Sequence, residues 1–273
     1  VCSSDLELVR SGVLDIAWIL PGYTPGQFPE MGLFELPLLF DSSLEAATVG
    51  WQLYDAGLLT GFDGVRLIGF FSTAPNGLFM RRPIDTPLEL GGLKIRALGA
   101  IHSDWLNTLG AAAQTMSGVD MNQALDREIV DGGIQGWSGM RTFGSFPLVD
   151  QAWDIPVGTT PFLLLINEQS WQRQPTSVQR AMLKHGGLGI ARSSGQAYAA
   201  INQQIRVALA ETGQPALMAP DASTQQALVD RSQALHDAWT TASIDRETTY
   251  LAAQTFLERL RAQTSTACAG SAP

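Results

Sequence analysis

The sequence predicts an α/β fold in two lobes, braced by long helices, and three observations lead there. Short apolar runs of strand length alternate with capped helical segments from Asp15 to Asn167. Two stretches, Val9 to Ile19 (VRSGVLDIAWI) and Leu125 to Gln135 (LDREIVDGGIQ), share one layout: helix end, apolar pair, Asp, strand. After Asn167 the alternation gives way to helical periodicity. A chain of 273 residues also exceeds the usual single core.

The elements follow in order. Leu6, Leu8, Val9 and Val13 form the apolar face of a helix that Gly12 ends, and Asp15–Leu20 (DIAWIL) reads as a short buried strand. A loop rich in Pro and Gly runs from Pro21 to Pro29, and Ser42-Ser-Leu-Glu45 is a capping box opening a helix towards Leu59. Val65–Phe71 is a second buried strand, and Leu78–Met80 begins an extended crossing segment. Thr86-Pro-Leu-Glu89 reads as a capping box for one short turn closed by Gly91-Gly92. Lys94–Leu98 (KIRAL) is a strand, Ser103 or Asp104 caps a helix ending at Gly110, and Asp120 caps the next. Gly132–Gln135 is strand-like and leads into a helix carrying Met140, Phe143 and Phe146; Phe162–Ile166 (FLLLI) is a strand of the fully buried type. A helical tract runs from Thr176 to Thr212, with Gly186, Gly187 and Gly189 marking a bend, and Ala222–Ala262 is helical as well. The small, polar tail Thr264–Pro273 is expected to be disordered, and Trp239 and Tyr250 to be packing residues.

Composition excludes several function classes. A net charge of −9 and a pI near 4.7 argue against nucleic acid or an anionic membrane as partner. No apolar run is long enough to span a bilayer; Leu33–Phe40 is interrupted by Glu35 and Pro37. Cys2 and Cys268 make neither a disulfide framework nor a metal site, and His102, His185 and His236 are far apart, so no metal or other cofactor is expected. The sequence holds no HExxH, GxSxG or GxxxxGK[ST] pattern. Gly187-Leu-Gly189-Ile-Ala-Arg192 lacks the last glycine of a dinucleotide fingerprint and lies in a helical tract, while neighbours such as His102-Ser103-Asp104 cannot take triad geometry. Val1–Leu6 (VCSSDL) is what a common sequencing-adapter stretch encodes in frame. These residues are therefore expected to be foreign and joined to a truncated reading frame, which accounts for the lack of a start Met and signal peptide.

From Asp85 to Gly136 the chain resembles the solute-binding proteins of TRAP (tripartite ATP-independent periplasmic) transporters. The resemblance is carried by Gly92-Leu-Lys-Ile-Arg96, Leu109-Gly-Ala111, Met116, Ala124-Leu125 and Val130-Asp-Gly132. Upstream, VRSGVLD (Val9–Asp15) and ELPLLF (Glu35–Phe40) match the first-lobe pattern, as Asn167, Trp171 and the long helix do downstream. The resemblance implies a periplasmic-binding-protein-like fold with a long lobe-spanning helix: a first lobe of residues 1–74 plus 167–273, and a second of 75–166. It also implies a periplasmic protein that catalyses nothing, captures a small organic anion between the lobes and delivers it to the membrane subunits of the transporter. Set against the family's pattern, the first strand, first helix and second strand are missing.

Arg96 is the leading candidate for the site. It alternates with Leu93, Ile95 and Ala97, and its planar fork matches a carboxylate as lysine cannot. Spacing alone favours a structural ion pair; the resemblance puts Arg96 on the family's carboxylate-binding position. Gln135, just past Asp131, falls where the family places a ligand-contacting side chain, with a loop-satisfied amide as the alternative. Trp18 and Trp137 offer aromatic walls or core packing, and Asn76, before Gly77, offers a ligand contact or a turn. Leu20 sits where some relatives carry an acidic contact, which disfavours a polyhydroxylated sugar acid. The competing readings are an α/β enzyme acting on a carboxylate anchored by Arg96, which requires a general acid or base nearby, and a sensor module, which requires attached signalling segments.

Overall fold

The computed structural model describes residues 4–24 and 26–269, with side chains from residue 5 to residue 263. The first helix, α1 (Ser4–Arg10), places Leu6 and Val9 in the core and ends before Gly12, which takes a left-handed φ of 78°. β1 (Ile16–Ile19) follows. Two single-turn 3-10 segments, Pro21–Tyr23 and Pro29–Met31, lead to α2 (Gly32–Glu35) and α3 (Ser43–Asp55). Ser42 caps α3 by accepting from the Glu45 backbone N–H, as the capping box requires, although the Glu45 carboxylate reaches the N–H of Asp41.

β2 (Val65–Ser72) and β8 (Pro161–Asn167) pair antiparallel, and β1 joins the other edge of β8, giving a three-stranded sheet in the order β1-β8-β2. The unbroken apolar run of β8 is explained by this central position. The boundary at residue 166 drawn from the sequence splits this sheet, because β8 belongs with β1 and β2. β1 itself is half-exposed rather than buried: Ala17 and Ile19 face the core, Ile16 and Trp18 the outside.

The second sheet holds β3 (Gly77–Met80), β4 (Lys94–Ala97), β5 (Ala112–Thr115), β6 (Gly132–Gln135), β7 (Gln151–Trp153) and β9 (Ala216–Met218), in the order β5-β4-β6-β3-β7-β9. β4 runs parallel to both β5 and β6, while β3 is antiparallel to β6 and β7. β5, β7 and β9 are absent from the sequence reading. They are three or four residues long, and their apolar runs, at most three residues as in Ala216–Met218, are too short to separate them from loop. Between the strands lie α4 (Ala100–Thr108), α5 (Gly118–Asp126) and α6 (Trp137–Thr142). Neither Ser103 nor Asp104 caps α4; its N-cap is Gly99, and the Ser103 hydroxyl bonds back to the Gly99 carbonyl. Ser117, not Asp120, caps α5, accepting from the Asp120 N–H. The Thr86 box opens no helix: its hydroxyl accepts from Leu88, two residues on, forming a turn.

After α7 (Glu168–Gln172) come α8 (Thr176–His185) and α9 (Gly187–Thr212), followed by α10 (Ala222–Thr240) and α11 (Ile244–Ala269). α9 packs on α3 and β2 towards one sheet and on α6 and β9 towards the other, so it spans both. α11 continues past Thr264, where the sequence suggested a disordered tail; 270–273, like Val1–Ser3, lie outside the described residues.

The break between α8 and α9 falls at Gly186 for a steric reason. A Cβ there would lie 2.1 Å from the carbonyl oxygen of Ile68, whereas at Gly189 the nearest atom is 3.5 Å away. Gly186→Ala is therefore expected to lower the melting temperature by several degrees, about 1–3 kcal/mol of overpacking. Gly189→Ala, inside a helix with room for the methyl, should leave it unchanged or raise it slightly. Thermal unfolding followed by circular dichroism distinguishes the two, and equal effects would remove the steric account.

Candidate functional site

β4, β5 and β6 run parallel, so the turns that follow them gather at one edge of the second sheet, where open α/β sheets bind ligands. Arg96 lies on the inner strand of this trio, opposite Gly133 of β6. The absence of a side chain there matters: a Cβ on Gly133 would come 3.1 Å from the Arg96 Cβ. The guanidinium is fully buried, at 0% exposure. Its Nε donates to the Met116 carbonyl at 3.0 Å and its Nη1 to the Ile134 carbonyl at 2.6 Å. Nη2 is buried with no acceptor at full hydrogen-bond geometry among the described residues, although the Tyr23 hydroxyl lies close enough to act on the guanidinium. Burial depresses the arginine to about 10, against the pull of the Tyr23 hydroxyl and the Glu35 carboxylate, so it still carries its charge at neutral pH.

The two carbonyls that hold Arg96 immediately precede Ser117 and Gln135, and both of these residues line a cavity of about 590 Å³. On the side of the second sheet its wall is made by Leu98, Ser117, Gly118, Val119, Gln135, Gly136, Gly139 and Phe143. The opposite wall comes from Leu20, Tyr23, Thr73, Thr160, Phe162 and Tyr198. No Asp, Glu, His, Lys or Arg lines it. Gln135 accepts from the Gly136 N–H through Oε1, which leaves its Nε2 without a hydrogen bond among the described residues. Gly118 and Gly139 flank this amide closely: a Cβ on Gly118 would lie 2.7 Å from Nε2 and one on Gly139 3.1 Å from Cδ, so either would crowd the side chain. The Tyr23 hydroxyl accepts from the N–H of Gly118 and so ties the loop after β1 to the start of α5. A second cavity of about 600 Å³, lined among others by Pro75, Pro156, Asp154 and Arg206, has its arginine committed. Arg206 bonds Asp154 at 3.0 and 2.6 Å and lies over the Trp137 ring at 4.5 Å.

Three sequence candidates fall elsewhere. Trp137 is a core residue, packed edge-on against Phe79 at 5.0 Å, and lines no part of the first cavity. Trp18 stands on the outer face of β1 and reaches the cavity only through Phe162, against which its ring packs at 5.3 Å. Asn76 is buried and ties together the two segments that cross between the sheets. Its Nδ2 donates to Val157, its Oδ1 accepts from Thr160, and its backbone pairs with Val157 and Gly158. Tyr23, Phe143, Phe162 and Tyr198 line the cavity although nothing local in the sequence singles them out.

Behind the wall lie two more buried ionisable groups. His102 fixes its ring through Nε2 to the Val157 carbonyl at 3.0 Å, and burial pushes it down to about 4, so it is neutral. Glu35 is 5% exposed and burial pushes it up to about 7, with Arg96 opposing that rise.

Residues 3–242 match the family model DctP, bacterial extracellular solute-binding protein, family 7. The chain belongs to that family. Among solved structures it is similar to a TRAP solute-binding protein from Rhodoferax ferrireducens T118 in complex with copurified benzoate. The TM-score is 0.87 and the identity 22%, over 94% of this chain and 83% of that one. It is also similar to a TRAP periplasmic solute-binding protein from Bordetella bronchiseptica with bound (R)- and (S)-mandelate, with a TM-score of 0.84 and 21% identity, over 94% and 84%. A curated relative, the C4-dicarboxylate-binding periplasmic protein DctP of Rhodobacter capsulatus, is 26% identical over 66% of this chain and 55% of its own length. Two other curated relatives are matched over only 24% and 40% of their lengths. The two-lobed α/β fold with a long helix, read from the sequence, is the fold of these TRAP solute-binding proteins. Among the described residues no helix is long and apolar enough to cross a membrane, and no three or more His, Cys, Asp or Glu side chains are grouped to hold a metal ion.

The penalty for Glu35 has a defined sign. A carboxyl raised from 4.5 to about 7 on folding favours the folded state relatively more as pH falls, and the penalty is complete above about 7. Glu35→Gln should therefore melt several degrees above the parent at pH 8, with up to about 3 kcal/mol at stake. The gap should close as pH falls towards about 4. A difference independent of pH would show that Glu35 is not held with a raised pKa.

Proposed function

We propose that this solute-binding protein is the capturing component of a TRAP transporter and holds a small organic acid by its carboxylate on Arg96. The observation that carries the proposal is the buried, unpaired Nη2 of Arg96 behind the wall of the cavity. A guanidinium held by two carbonyls with one nitrogen left over is completed by an anionic acceptor, since leaving a buried charged donor unmet costs more than meeting it. The Gln135 Nε2 supplies a second donor. The lobes divide at the crossing segments, with β1, β2 and β8 on one side and β3 to β7 on the other. The loaded protein docks onto the membrane subunits.

The ligand is a monocarboxylate with an aromatic or comparably apolar body. Leu20, Leu98, Val119, Phe143, Phe162 and the rings of Tyr23 and Tyr198 form apolar walls, and no charged side chain lines the cavity to meet a second carboxylate. Benzoate and mandelate, the ligands of the two similar structures, have that form. Catalysis on a carboxylate anchored by Arg96 is disfavoured, because the lining carries no Asp, Glu or His for acid–base work and His102 is neutral and turned to a backbone carbonyl.

Calorimetry and thermal shift with benzoate, mandelate, malate and succinate test this. The aromatic acids should raise the melting temperature in proportion to the logarithm of concentration over Kd, and the dicarboxylates should not. Arg96→Lys should weaken binding by about a hundredfold or more, and Gln135→Ala by about tenfold. Preference for malate, or unchanged affinity in Arg96→Lys, would overturn the assignment.

A further inference from the structure

Glu35 is a buried carboxylate without any hydrogen bond or ion pair among the described residues. Its position is confined from two sides. A Cβ on Gly22 would lie 3.1 Å from its Oε1, and a Cβ on Gly99 3.0 Å from its Oε2. These glycines directly adjoin Tyr23 and Leu98, both on the cavity wall, so the carboxyl stands one layer behind the site. The charged and titratable groups facing it are few. Arg96 attracts its anion, the neutral His102 lies on the α4 side, and the Tyr23 hydroxyl is on the loop after β1. Asp104 and Arg246 stand on the rim of the cavity of about 500 Å³ that Glu35 also lines.

We propose that Glu35 is a proton-binding site coupled to ligand capture, so that the cleft takes up an organic anion together with a proton. The proposal rests on Arg96 receiving the ligand carboxylate. One buried guanidinium balances one negative charge at low local dielectric. With Glu35 ionised, Arg96 already has its counter-charge, and a ligand carboxylate adds a second buried anion. With Glu35 protonated, the whole field of Arg96 is available to the ligand. Burial of Glu35 to a pKa of about 7 sets both forms within reach near neutrality. The sign follows: an anion on Arg96 raises the affinity of Glu35 for its proton, and by reciprocity the proton raises the affinity for the anion. The ligand's own carboxyl and Arg96, at about 10, keep their charges across this range.

Isothermal calorimetry of the full chain with benzoate as probe tests the linkage. Titrations in buffers of different ionisation enthalpy should show net uptake of up to about one proton at pH near 7.5. The association constant should be flat below about pH 6 and should fall by roughly tenfold between about pH 6 and pH 8. Glu35→Gln should bind at pH 8 about as tightly as the parent does at pH 6, with no proton uptake and a flat profile. Binding without proton uptake in the parent, or a pH slope that survives in Glu35→Gln, overturns the proposal while leaving the carboxylate site intact. The proton count in the parent decides even where the variant fails to fold. Absence of benzoate binding at every pH would instead overturn the aromatic-acid reading of the cavity, and the linkage with it.

Discussion

Burying one guanidinium constrains everything around the cleft. A charge removed from water costs several kcal/mol unless it is paired and hydrogen-bonded. Arg96 recovers part of that cost from the carbonyls of Met116 and Ile134, which come from the ends of the two strands beside its own. The bare backbone of Gly133 leaves room for that side chain, since a Cβ there would come 3.1 Å from the Arg96 Cβ. What remains is Nη2, which has no hydrogen-bond acceptor among the described residues.

The electrostatics around this donor are sparse. The protein as a whole is acidic, at −9, and the cavity wall carries no charged side chain, so Arg96 is the local source of positive potential. An isolated cation behind apolar walls selects for charge and shape together. On the proposed reading, a ligand brings one anionic group to the arginine and an apolar remainder to Phe143, Phe162, Leu98 and Tyr198. The same sparseness leaves Glu35 and His102 to answer to Arg96 through the protein interior rather than through solvent. His102 avoids conflict by staying neutral on the Val157 carbonyl.

The cleft is held in register by the segments that cross between the sheets. Thr73 donates its backbone N–H to Thr160 and receives the N–H of Thr160 on its hydroxyl, while Asn76 exchanges backbone bonds with Val157 and Gly158. Because Thr73 and Thr160 also line the cavity, the ladder that joins the sheets is part of the site's wall. α9 spans both sheets and contributes Tyr198 to the same wall, more than a hundred positions along the chain from Arg96.

The sequence by itself determined the alternation of strands and helices, the long terminal helices and the bend at the glycine cluster; it offered Arg96 as leading candidate only through the family resemblance. Each of the first three has a local cause: periodicity, caps, or a backbone that tolerates no side chain. Gln135 was offered through the same resemblance, and it lines the cavity at the end of β6. For Trp18 and Trp137 the sequence could not decide, because alternation along a strand or helix shows that two faces exist but not which one borders a cleft. Register and sheet order decide that, and they put Trp18 outside and Trp137 in the core. β5, β7 and β9 escaped detection because three or four residues bury too little surface to impose a pattern, and their neighbours hold them in place. The walls of the cavity come from residues 20 and 23, 73, 98, 117 to 119, 135 and 136, 138 and 139, 142 and 143, 160, 162 and 198. Only the tertiary structure could assemble these, since no local interaction among them exists until the two sheets are joined. The isolation of Glu35 belongs to the same class, because its lack of a hydrogen-bonding partner among the described residues follows from which segments pack around it, and no short stretch of sequence fixes those.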